Sequence, residues 1–88
     1  MDRNECRKEI DGIDERLTEL FVRRMDVAGE IAEYKKEHGL PVLDAGRERD
    51  KLSAVLSQTP ENMREYVSLL YQMIFELSRS YQQSRPRG

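Results

Sequence analysis

Apolar residues recur at Ile10, Ile13, Leu17 and Leu20, and again at Val27, Ile31 and Tyr34. Steps of three and four residues are those of a helix that buries one seam against another helix. They predict a helix from about Asn4 to Glu37. Such a helix is about 50 Å long, whereas a compact domain of 88 residues has a radius of gyration of only about 12 Å. A helix that overhangs its own domain must find its packing elsewhere. With 38% hydrophobic residues, 36% charged residues and no Trp, the core of a lone chain is thin. The expectation is a single all-α domain over residues 1–88, completed by a second copy, most simply as a two-fold dimer.

One position breaks the seam. Arg24 stands where the pattern asks for Leu or Ile. A buried, unpaired cation costs several kcal/mol, so Arg24 must be half of a buried ion pair or the floor of an anion site. Lys35 is eleven residues further on, about 20° round and about 16 Å along the axis, with Ala28 and Ile31 between. The two long cationic side chains can converge on one small ligand. Arg7 is 17 residues before Arg24, about 25 Å away and about 100° round. If Arg7 serves that same ligand, it comes from the second chain.

Charge and composition narrow the remaining classes. A net charge of −2, with no basic run, argues against nucleic acid as a partner. Cys6 is the single cysteine, which excludes an internal disulfide framework and fits a reducing compartment. The sequence carries no signal peptide and no apolar run of membrane-spanning length, so the expected location is the cytoplasm. It also lacks a metal-ligand cluster, a nucleophile–histidine arrangement and a glycine-rich phosphate loop. No cofactor is expected.

Asp2 and Asn4 are the candidate caps of the first helix, and Gly12 and Gly29 are candidate points of close helix approach. Asp14, beside the seam, reads as a solvent-facing edge residue, with pairing to an arginine across the dimer as the alternative. His38-Gly39-Leu40-Pro41 ends the helix, with Gly39 suited to a left-handed cap and His38 a helix-end side chain. Asp44 caps a short second helix carrying Leu52, Val55 and Leu56. Thr59 and Pro60 are expected to open a third helix running to about Gln83. Its apolar residues are broad enough to be covered on more than one side. Its stripe Tyr71, Phe75, Ser78, Gln82 starts apolar and ends polar. That ending is either a pair of ligand donors or a helix emerging into water. Residues 84–88 are expected to be a disordered tail. The architecture is three helices, one long and two shorter.

Set in order, several of these residues resemble a known family, the all-helical chorismate mutases, over nearly the whole chain from about Glu5 to Gln82. The resemblance rests on Arg7-x-x-Ile10-x-x-Ile13-Asp14, on Arg23-Arg24 and Lys35, on Pro41-Val42-x-Asp44-x-x-Arg47-Glu48-Arg49, and on Ser78-x-x-x-Gln82. It departs at Gly46, where the family often carries a side chain, and around Leu77 and Arg79 it is less diagnostic. It implies an intertwined helical homodimer that rearranges chorismate to prephenate on the route to phenylalanine and tyrosine. That one-molecule pericyclic step needs no cofactor.

Carried over residue by residue, the resemblance gives Arg24 one substrate carboxylate. Arg7 from the other chain takes the second, with Arg47 in support. Lys35 and Gln82 are the donors to the ether oxygen, which gains negative charge as its C–O bond breaks. Glu48, helped by the Asp44 backbone, accepts from the ring hydroxyl, and Ser78 lies near a carboxylate. Two other readings stay open. One is an isochorismate-pyruvate lyase on the same fold, against which Asp44-x-x-Arg47-Glu48 discriminates. The other is a helical dimerisation or regulatory module without catalysis, with Arg24 in an intersubunit ion pair. Beside these stands a mutase whose main role is regulatory, docking on another shikimate-pathway enzyme.

Overall fold

The computed structural model describes residues 1–84, and among these the secondary structure is entirely helical. Helix α1 spans Arg3–Glu37, α2 spans Ala45–Ser57 and α3 spans Arg64–Ser84, with a short 3-10 turn at Glu61–Met63 before α3.

Of the two candidate caps of α1, Asp2 is the one used. Its carboxylate accepts from the Glu5 backbone N–H at 2.8 Å and satisfies one of the helix's orphan donors. The other end closes as the sequence predicts. Gly39 takes φ 66°, the Leu40 N–H donates to the Lys35 carbonyl at 2.7 Å and the Gly39 N–H donates to Lys36 at 3.3 Å. This paired closure turns the chain sharply away from the axis. His38 Nδ1 lies 2.8 Å from the Tyr34 carbonyl and its ring stacks on Tyr34 at 4.0 Å, in keeping with a helix-end side chain. Asp44 caps α2 through a 3.0 Å bond from the Arg47 N–H.

Two sequence expectations are corrected at α3. Thr59 does not cap it: the hydroxyl donates back to the Val55 carbonyl at 2.7 Å and closes α2 instead. Pro60 then leads into the 3-10 turn, and α3 begins only at Arg64. Ser84 is the last residue of α3 rather than the start of a tail. The rest of the expected tail, residues 85–88, lies outside the described residues.

Helix α3 packs against both α1 and α2, which do not pack on each other. It is therefore the floor of the molecule, with the other two helices as walls. The contact with α1 is made through small residues: Ala28, Gly29 and Ala32 are buried on α1, and Phe75 and Ser78 on α3. A face of Ala and Gly lets helices approach closely, and Gly29 lies buried beside Ala28. At Gly12 an added Cβ would meet nothing within 4 Å, so that glycine marks no close approach within the chain.

The large apolar residues of the predicted seam are left uncovered. Ile10, Ile13, Leu17 and Leu20 are 54–68% exposed, and the N-terminal half of α1 stands clear of the other helices. Tyr66, Leu69, Leu70 and Met73 on α3 are also exposed. The chain is correspondingly elongated, measuring 54 × 29 × 15 Å. Among the described residues, no helix is long and apolar enough to cross a membrane.

Candidate active site

Between the two walls and above the floor lies a cavity of about 270 Å³. Its position follows from helical register. On α1, steps of four, three and four residues put Arg24, Ala28, Ile31 and Lys35 along one stripe, and all four line the cavity. The first turns of α2 contribute Arg47, Glu48 and Lys51, preceded by Val42 and Asp44 from the connecting loop. Phe75, Ser78, Arg79 and Gln82 rise from α3. Seven of the eight residues expected at the site from the sequence are thus brought together: Arg24, Lys35, Asp44, Arg47, Glu48, Ser78 and Gln82.

Arg7 is not among them, and it sits on the exposed N-terminal half of α1. Its distance from Arg24 along a continuous helix is the one expected, about 25 Å.

The polar groups are held in defined directions. Arg24 donates to the Ser78 hydroxyl at 3.0 Å, and its guanidinium lies 5.9 Å from the centre of the Phe75 ring. That cation–π contact supports the charge from the aromatic side of the floor. Ser78 is buried and within 3.7 Å of the Met25 sulfur. The alternative in which the α3 stripe emerges into water at this point is therefore set aside. Lys35 Nζ donates to the Val42 carbonyl at 3.0 Å, and Gln82 Nε2 donates to the Ala28 carbonyl at 2.8 Å. Both donors are tied to the backbone beside the cavity, so little ordering remains to be done when a ligand enters.

Two lining residues were missed by sequence reasoning. Arg79 places Nη1 at 2.6 Å from each oxygen of the Glu48 carboxylate. Lys51 adds a further cation on the α2 wall. A helical signal existed for both: Arg79 is three residues before Gln82, and Lys51 three after Glu48, spacings that share a face. The cavity carries five cationic side chains against two carboxylates, on a chain whose net charge is −2. Concentrating positive charge so locally suits a small ligand bearing more than one anionic group.

Fold and site together define a small all-α protein with a cation-lined cavity between three helices. The model of the family described as chorismate mutase type II matches residues 6–83, and the chain belongs to that family. It is similar to the chorismate mutase of Methanocaldococcus jannaschii, with 29% identity over 82 residues, 89% of this chain and 81% of that protein. It shares 36% identity over 50 residues with the T-protein of Haemophilus influenzae, 57% of this chain but 13% of the relative. With the 4-amino-4-deoxychorismate mutase of Streptomyces venezuelae it shares 42% identity over 41 residues, 47% of this chain and 40% of the relative. The chain thus spans only a small part of one of these proteins and most of another. No solved structure matches it significantly.

Proposed function

We propose that the protein is a chorismate mutase, an isomerase that converts chorismate to prephenate by an intramolecular Claisen rearrangement. The observation that carries this reading is the convergence of Arg24, Lys35, Arg47, Glu48, Ser78 and Gln82, from three separate helices, on one cavity. Chorismate is a dicarboxylate with a ring hydroxyl and an enol-pyruvyl ether. Arg24, steadied by Ser78 and Phe75, takes one carboxylate. Lys35 and Gln82 donate to the ether oxygen, whose negative charge grows as its bond to the ring breaks and the new C–C bond forms. A fixed donor aimed at developing charge stabilises the transition state more than the ground state. Glu48 accepts from the ring hydroxyl, Arg47 adds positive charge beside the carboxylates, and Asp44 caps the helix that presents both. Confinement in the reactive conformer supplies orientation.

The working unit in this reading is a homodimer. The chain exposes 7297 Å², about 1,900 Å² more than a compact monomer of its mass, and an obligate dimer interface is of that order. The uncovered stripe of Ile10, Ile13, Leu17 and Leu20 is the surface a second chain would cover. The same pairing would bring Arg7 of a second chain to the open side of the cavity, to hold the second carboxylate. The single exposed thiol of Cys6 fits a cytoplasmic enzyme.

The test is the loss of chorismate absorbance with the product identified as prephenate. Release of pyruvate instead would establish a lyase. A folded, dimeric protein that leaves chorismate unchanged would reduce the chain to a non-catalytic module.

A further inference from the structure

The Glu48–Arg79 pair is not required to hold a dicarboxylate, yet it is the short ion pair of the cavity. It joins α2 to α3 across 31 residues of sequence, with Arg79 Nη1 at 2.6 Å from both carboxylate oxygens and side-chain exposures of 31% and 26%. We propose that Arg79 is a specificity-determining residue. It holds Glu48 as an acceptor for a neutral hydroxyl and weakens the site for a substrate that carries an ammonium group at the same position. This assignment rests on the mutase reading, in which Glu48 faces the ring substituent.

An ionised carboxylate offers about four acceptor sites. One nitrogen straddling both oxygens leaves outer sites for a hydroxyl donor, so a hydroxyl binds without displacing Arg79. A neutral donor also brings no charge to the guanidinium. An ammonium group differs on both counts. The charge of Glu48 is already compensated by Arg79, and an ammonium bonded to that carboxylate sits about 5 Å from the guanidinium. Lys51, three residues beyond Glu48 on α2, adds a further cation to the same cavity. The carboxylate attracts the ammonium from a shorter distance, so what Arg79 contributes is the repulsive part. At that separation in a partly exposed site, it weighs about tenfold against the amine relative to a site without the guanidinium. Arg79 is therefore a positioning residue for Glu48 that also acts as an electrostatic filter, rather than a carboxylate clamp.

The experiment compares kcat/KM for chorismate and for 4-amino-4-deoxychorismate in the full-length wild-type protein and in the Arg79→Met and Arg79→Lys variants. The ratio of the two values in wild type is the reference preference for chorismate. Arg79→Met should reduce that preference by about tenfold, through loss on the hydroxyl substrate and gain on the amine, while Arg79→Lys should retain it. A purely structural role would lower both substrates together and leave the ratio unmoved. A folded Arg79→Met protein with the wild-type ratio overturns the assignment. If the Met variant does not fold, Arg79→Gln is compared in the same way, and a wild-type ratio there overturns the assignment too. A wild-type protein inactive on both substrates overturns the mutase reading and this assignment with it. Activity on chorismate with an unmoved ratio overturns the role of Arg79 alone.

Discussion

Removing Arg7 and Arg24 separately, and then mixing the two variants, tests whether each site is built from two chains. The two arginines are 17 residues apart on one continuous helix, about 25 Å along its axis. Arg24 lines the cavity and Arg7 does not. One ligand the size of chorismate cannot reach both within a chain. The homodimers Arg7→Ala and Arg24→Ala each lose a charged hydrogen-bonding clamp from every site, which should lower activity by at least about tenfold. After subunit exchange at equal concentrations, about half of the dimers are mixed, and each of these has one site lacking both arginines and one keeping both. Activity should therefore rise from that floor to about a quarter of wild type at the same total concentration.

A second mixture moves the other way. Wild type exchanged with the Arg7→Ala/Arg24→Ala double variant starts at about half of wild-type activity and should fall to about a quarter, because every mixed dimer then has two damaged sites. Chorismate turnover is followed before and after exchange, with heterodimers confirmed by mass. If each site belonged to one chain, the first mixture would stay at its floor and the second would stay at half. Either outcome, with exchange demonstrated, refutes the shared site. A compact, folded monomer in sedimentation would refute it earlier still.

Two further expectations are simpler. Lys35→Ala should lower turnover by about 10²–10³, the usual cost of one fixed donor to a developing oxyanion, with the helical circular dichroism unchanged; near-normal turnover would remove Lys35 from the chemistry. Gly39→Ala should cost stability without touching the site, because φ is 66° there and an added Cβ meets nothing within 4 Å. The backbone penalty alone is about 1–2 kcal/mol, read as a fall in Tm of several degrees; an unchanged Tm would mean that the left-handed turn is not what ends α1.

What the sequence determined by itself is what helical periodicity encodes locally. At about 100° per residue, the spacing of Arg24 and Lys35 already puts both on one stripe, and the structure places both at the cavity. The same arithmetic separates Arg7 from them. The stop at His38-Gly39-Leu40 and the cap at Asp44 were legible because each depends on a few neighbouring residues and their own backbone hydrogen bonds. Resemblance to a family then named the other site residues in order.

Tertiary structure decided what register cannot carry: which faces of different helices meet. The large residues of the α1 seam looked like the core, yet within the chain α3 lies on the Ala28, Gly29 and Ala32 face and leaves Ile10, Ile13, Leu17 and Leu20 uncovered. Small residues allow the closer approach, and the bulkier stripe remains for another surface. The same packing buries Ser78 against Arg24 and Met25, where the α3 sequence alone left burial and exposure equally open. Arg79 is the plainest case. Its spacing from Gln82 puts it on the face of the site, but it gains its role only because packing α2 on α3 sets its guanidinium against Glu48, 31 residues away in sequence.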